Sequence, residues 1–172
     1  MKKRKLLVVI DMQNDFLTGS LANEDAVKII PFIKEKINKA LSDDTLIVFT
    51  KDSHHEGYLK TQEGKRLPVE HCIVGSSGHD IAEELFTPIS TVIEKNTFGS
   101  TLLASYISNN KITDVEMVGT CTDICVVSNA LLIKAHNPEV HIKVYKDGCA
   151  GTTVPNHEAA LQVMRCCQID VE

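Results

Sequence analysis

The five residues LLVVI at 6–10 are apolar without a break, β-branched at three positions, and cut off by Asp11. A strand with one wet face would alternate apolar and polar residues. An unbroken run implies burial on both faces, as in the interior of a parallel sheet covered by helices. TLIVFT at 45–50, STVIE at 90–94 and VEMV at 115–118 read as further strands, while residues 140–145 alternate as a strand nearer the edge would. Residues 169–171 supply a short edge strand. Between these runs, 23–41 places Ala26, Ile29, Ile30, Ile33, Ile37 and Leu41 at helical spacing. Helices are also expected at 81–85, 101–108, 123–136 and 155–167. Strands alternating with helices predict a three-layer α/β/α fold. Its sheet is mostly parallel and Rossmann-like, with about five to six strands joined by right-handed crossovers. The 172 residues suit a single domain spanning 1–172.

In such sheets ligands bind beyond the carboxyl ends of the strands. Asp11 follows the first strand, Asp52 and His54 the second, Lys95 the third, and Cys125 the fourth. All five chemically active groups therefore fall on one edge. Cys125 sits in the first helical turn after strand four, with Thr122 or Asp123 as the expected cap. Unpaired backbone N–H groups and the helix dipole would there favour its thiolate. An acid, a base and a thiol at one edge suggest nucleophilic hydrolysis of an acyl bond. Asp11 would take the thiol proton and return it to a leaving amine, Lys95 would offset charge, and backbone N–H groups of 121–125 would form an oxyanion hole.

The segment 51–78 is long, rich in Gly, Pro, His and charge, and without a sustained period, which in a compact domain points to function. Asp52 and His54 are two apart, so an extended backbone projects both to one side. With His71, and Glu63 between them in sequence, they make an N/O donor set suited to a divalent ion: Zn first, Mn or Fe next. His55 should point away, and His79, His136, His141 and His157 are assigned structural roles. Phe16, Tyr58 and Phe98 lie near the same edge and can wall a pocket for a flat substrate.

The formal charge of −5 and a pI near 5.8 argue against nucleic acid as a partner, and the basic run at 2–5 is short. The apolar run at 6–10 is far too short for a signal peptide or a membrane span, so no membrane partner and a cytoplasmic location are expected. Six cysteines without a regular framework fit reduced thiols in that compartment.

DMQNDF after the first strand, KNTFGS after the third and GTCTDICV after the fourth resemble, in order and spacing, the cysteine hydrolases of the isochorismatase-like superfamily. KDSHH and VEHCIVGSSG resemble the metal segments of its nicotinamidase branch. The resemblance covers nearly the whole chain. It implies a triad of Asp11, Lys95 and Cys125, metal ligands Asp52, His54 and His71 with Glu63 as a fourth, and a homo-oligomer. It implies a non-proline cis peptide just before Thr122, with Cys121 and Thr122 at the oxyanion site. Gln13 and Leu67 join Phe16 and Phe98 as substrate-pocket positions, although Leu67 stands where that branch has an aromatic residue before a proline. Isochorismatases proper lack the cysteine, so Cys125 favours the amidases.

The expected activity is metal-dependent hydrolysis of a small amide, with nicotinamide the first substrate to try. Another small amide or carbamoyl compound is the enzymatic alternative. A flavodoxin-like metal- or ligand-binding module is the non-enzymatic one. A nucleotide version fares poorly because DMQNDF has no glycines for a pyrophosphate. A thioredoxin-like role fares poorly because Cys121 and Cys125 lack C-x-x-C spacing.

Overall fold

The computed structural model describes residues 3–172; Lys2, the first of the basic run, lies outside them. Six strands form one parallel sheet in the order β3-β2-β1-β4-β5-β6. They are β1 Lys5–Ile10, β2 Leu46–Asp52, β3 Thr91–Lys95, β4 Asp114–Thr120, β5 His141–Ala150 and β6 Asp170–Val171. The chain leaves β1 toward β2 and β3, then returns to place β4 on the other side of β1. This makes the β1/β4 junction the switch point at which open α/β sheets bind ligands.

The unbroken run in β1 divides between two cores. Leu6, Val8 and Ile10 pack with residues of α5 (Thr101–Asn109), α6 (Val127–His136) and α7 (Val154–Cys166). Leu7 and Val9 pack with α1 (Asn14–Leu17), α2 (Glu24–Lys28) and α3 (Ile30–Ser42). Both faces are dry, and the three layers follow. Val9 and Ile10 pair with Val118 and Gly119 across the junction. A Cβ at Gly119, whose φ is +126°, would stand 2.1 Å from the Ile10 carbonyl oxygen. Only glycine lets the two backbones approach there.

Two local expectations are corrected. The helix expected over 23–41 is broken at Ile29 into α2 and α3, because Pro31 has no N–H to continue the ladder and instead starts a new helix. Leu41 is thereby turned outward and Ala40 takes the core position. The helix expected over 81–85 does not form. Ile81 bridges Gln13 and the Ala82 N–H donates to Met12 O at 2.9 Å, so this segment is a strap pinned across the turn after β1. Among the described residues, no helix is long and apolar enough to cross a membrane.

Candidate active site

Asp11 directly follows β1 in a left-handed conformation, φ +47°, a strained backbone of the kind proteins keep at functional sites. Its carboxylate is wholly buried. Oδ1 accepts the Thr50 hydroxyl at 2.6 Å, while Oδ2 lies 2.6 Å from Lys95 Nζ, off the line of a directed hydrogen bond. Burial raises the Asp11 carboxyl above its ordinary value, against the pull of Lys95. Lys95 closes β3, where its backbone pairs with Asp52. Burial alone would favour the neutral amine, but the carboxylates of Asp11 and Asp52 outweigh it and hold the ammonium.

Lys95 Nζ also donates to Cys125 Sγ at 3.5 Å. Cys125 lies in a π turn, Thr122–Val126, closed by the Val126 N–H to Cys121 O at 3.1 Å. Neither Thr122 nor Asp123 caps it. The Thr122 hydroxyl pairs with His157 Nδ1 at 2.8 Å, and Asp123 accepts the Thr152 N–H and hydroxyl. The cis peptide falls between Thr120 and Cys121, one bond earlier than expected, because β4 runs through Thr120 and the chain turns directly after it. The expected resting thiolate is also corrected: burial and the negative charge of Asp11 push the Cys125 thiol well above its ordinary value, although Lys95 opposes them. Cys125 is therefore a thiol until a base takes its proton.

Beside Asp11, Lys95 and Cys125, the residues Asp52, His54, Glu63 and His71 bring one donor atom each within 4.8 Å of one another. Asp52 Oδ2 lies 3.1 Å from His54 Nε2 and 3.5 Å from His71 Nε2. Glu63 Oε1, from α4 (Gln62–Arg66), lies 3.6 and 3.8 Å from the same nitrogens. His71 Nδ1 donates to Val69 O at 2.8 Å, which leaves the Nε2 lone pair facing the cluster. The donors fit a divalent cation: converging borderline nitrogens and hard oxygens, with one imidazole already fixed in its tautomer. Burial works against a charged Asp52, but hydrogen bonding from His54 and the charge of Lys95 hold it well below the usual carboxylate range.

The family model for the isochorismatase domain matches residues 5–171. The chain belongs to this family. It is 27% identical to the nicotinamidase/pyrazinamidase of Mycobacterium tuberculosis over 97% of both proteins. Among solved structures, it superposes on the pyrazinamidase of Pyrococcus horikoshii in complex with zinc with a TM-score of 0.88. That pair is 28% identical over 98% of each chain. It superposes on the N-carbamoylsarcosine amidase of Thermoplasma acidophilum with a TM-score of 0.84, at 26% identity over 98% of this chain and 95% of that one.

In this isochorismatase-domain protein the Cys125 thiol and the four-donor cluster open into one cavity of about 1250 Å³. Its lining includes Phe16, Leu67, Phe98, Cys121, Cys125 and the four cluster residues. Gln13 is not in that lining, which corrects its expected place. It is wholly buried behind the cluster: Nε2 donates to Asp52 O and His79 O, each at 2.9 Å, and Oε1 accepts the Asp52 N–H at 2.7 Å. Its amide fixes the Asp52 backbone instead of touching a ligand. Asn129 plays a similar part at the thiol, donating to Cys125 O at 2.8 Å and Phe98 O at 3.0 Å. Sequence reasoning passed over Asn129; a polar residue four after Cys125, inside an otherwise apolar helix stripe, was the available signal. His55 is exposed and outside the cluster, as its neighbour's orientation requires. His79 is buried, with Nε2 2.7 Å from the Ser53 hydroxyl.

Proposed function

We propose that this protein is a cysteine amidohydrolase that converts nicotinamide to nicotinate and ammonia through a thioester on Cys125. The observation that carries the reading is the continuous Asp11–Lys95–Cys125 contact, at 2.6 and 3.5 Å, opening beside a four-donor cluster. Asp11 Oδ2 takes the Cys125 proton as Sγ attacks the amide carbon. Charge moves from one atom to the other, and Lys95 faces both, so its ammonium pairs with whichever is anionic. Burial opposes the transfer by raising the thiol and aids it by making Asp11 a stronger base than usual, and the Lys95 ammonium at 3.5 Å stabilises the thiolate as it forms.

Backbone N–H groups of the 121–125 turn receive the oxyanion, with the exception of Ile124, whose N–H already donates to Cys121 O at 3.1 Å. Collapse breaks the C–N bond, and the proton held by Asp11 leaves with the amine as ammonia. Water then attacks the thioester while Asp11 accepts its proton, the carboxylic acid departs, and Cys125 recovers its thiol. Asp52, His54, Glu63 and His71 would hold a zinc ion, with Mn or Fe as substitutes. When bound, it supplies a Lewis acid that binds a ring nitrogen and orients the substrate.

A second reading, hydrolysis of a carbamoyl compound or another small amide, is favoured by the likeness to the N-carbamoylsarcosine amidase and by Leu67, which offers no ring to stack on. Ammonia release from nicotinamide by metal-loaded protein, beside Cys125→Ala, separates the two. Release that vanishes in the variant is expected. Release that persists in Cys125→Ala overturns the thioester route, and none from either protein moves the substrate to the carbamoyl class.

A further inference from the structure

Tyr58 is the largest side chain fully buried among the described residues, yet it lies in the long segment between β2 and β3, outside both sheet cores. Gly57, at φ 90° and ψ 8°, has the conformation required at the third position of a type II turn, and the Tyr58 N–H returns to His55 O at 3.1 Å. That turn sends the phenol inward against both imidazoles of the cluster. Its ring centroid is 4.6 Å from that of His54 and 5.0 Å from that of His71, at 58° and 78°; the imidazoles are themselves 4.8 Å apart at 73°. His71 meets both other rings edge toward face, the arrangement aromatic quadrupoles favour, while Tyr58 lies tilted against His54.

The two histidines differ in what else holds them. His71 is fixed through Nδ1 by the Val69 carbonyl. His54 has no such partner: among the described residues its ring makes hydrogen-bonding contact only through Nε2, toward Asp52. Packing against Tyr58 and against the already fixed His71 ring is what remains to set its plane. The other end of Tyr58 reaches the substrate side, where its hydroxyl donates to Leu67 O at 3.0 Å. Its carbonyl accepts the Thr61 hydroxyl at 2.7 Å, and Thr61 caps α4, the helix that carries Glu63. Gly64 packs against the same carbonyl so tightly that a Cβ would stand 2.1 Å from it.

We propose that Tyr58 is a positioning residue with two separable jobs: its ring orients the cluster imidazoles, His54 above all, and its hydroxyl ties the cluster to the pocket wall at Leu67. The proposal rests on the cluster being a metal site, and its test needs no substrate. Co²⁺ is the probe, read by competition with a chromophoric chelator and by the visible spectrum of the loaded protein. Hydrogen exchange of residues 59–70 reads the wall.

Tyr58→Leu and Tyr58→Met remove the ring; Tyr58→Phe restores it without the hydroxyl. The ring-less variants are expected to bind Co²⁺ about 10-fold to 100-fold more weakly, the range seen when groups that orient metal ligands are removed, with altered visible bands. Tyr58→Phe should bind within about two-fold of the parent, with the parent's spectrum, while exchange across 59–70 speeds up several-fold. Ring-less variants that fold and keep the parent's affinity and spectrum overturn the first job. Unchanged exchange in Tyr58→Phe overturns the second. Should neither ring-less variant fold, Tyr58→Phe still decides: Co²⁺ affinity lost with the hydroxyl alone overturns the division of roles. A parent protein that binds no Co²⁺ removes the metal reading and this inference together, whatever it does with nicotinamide.

Discussion

Replacing Gln13 by Met tests how the cluster is held. Methionine matches glutamine in length and flexibility but offers no amide, so shape is largely kept and three hydrogen bonds are lost. The groups deprived are the Asp52 N–H, the Asp52 carbonyl and the His79 carbonyl, all at 2.7 to 2.9 Å from the Gln13 amide. Gln13 is 0% and Asp52 4% exposed, so water cannot readily replace what is removed. At about 1–3 kcal/mol for each stranded buried group, and with carbonyls tolerating loss better than N–H groups, the change should cost about 3–6 kcal/mol. A urea slope of about 2 kcal/mol per molar turns this into a fall in midpoint of about 1.5–3 M. The chain has no tryptophan, so far-UV circular dichroism is the suitable probe. Gln162→Met, at an exposed site on α7, is the control and should move the midpoint by less than about 0.3 M. A shift below about 0.5 M in Gln13→Met would falsify the clamp, since it amounts to one ordinary hydrogen bond instead of three stranded groups.

Burial raises Asp11 above 3.8, so the base form, and with it kcat/KM at saturating metal, should be lost as pH falls through that raised value. A raised carboxyl favours the fold on the acid side, its contribution being full below the unfolded value and lost as pH rises through the folded one. Activity should therefore fall before the circular dichroism does, and an acid limb at or below the ordinary carboxylate value would sink the assignment of Asp11. Gly119→Ala puts a methyl 2.1 Å from the Ile10 carbonyl oxygen at a φ of +126°, so it should lose the cooperative thermal transition or shift it down by 10 °C or so; a melting temperature within about 2 °C of the parent would contradict the close approach. Lys95→Met leaves Asp11 and Asp52 buried together without their cation, at a cost of about 3–5 kcal/mol near neutral pH. Acidification should stabilise this variant, by protonating a carboxylate, more than it stabilises the parent; parallel pH–stability curves would refute the shared pairing.

What was readable before the structure depended on range. Strand runs such as 6–10 declare double-sided burial through composition alone, and the placement of Asp11, Asp52, Lys95 and Cys125 at one edge follows from alternation of elements. Asp52 and Lys95 prove to be the last residues of their strands, not the first beyond them, a difference of one or two positions. The break at Ile29 was legible in Pro31 and was overridden by the regular spacing of isoleucines around it. The strap at 81–85 was not legible, since its partners are backbone atoms of the turn at 12–13, and nothing in its own composition reveals them. Gln13 belongs to the same class: its hydrogen bonds reach 39 and 66 residues along the chain. The Cys125 thiol illustrates a different limit. Its place in the first turn after β4 was readable, but its charge state depends on depth of burial and on the sign of its neighbours, which a local pattern does not carry.

Asp52 explains why the two halves of the site occupy one edge. Its Oδ1 lies 3.6 Å from Lys95 Nζ, and its Oδ2 faces His54 and His71. One carboxylate thus belongs to both the ion-paired core of the triad and the donor cluster. Without a cation at the cluster, the buried charges of Asp11, Asp52 and Lys95 sum to −1, a state that low-dielectric surroundings disfavour. A divalent ion on the far side of Asp52 would reverse that balance and leave Lys95 freer to serve Asp11 and Cys125. The Gln13 amide, gripping Asp52 by both backbone groups, keeps this shared carboxylate in register with the turn that carries Asp11 two residues away. The spacing of DMQ after β1 therefore has a physical reason: its first residue pairs with Lys95, and its third holds the carboxylate that joins that ion pair to the cluster.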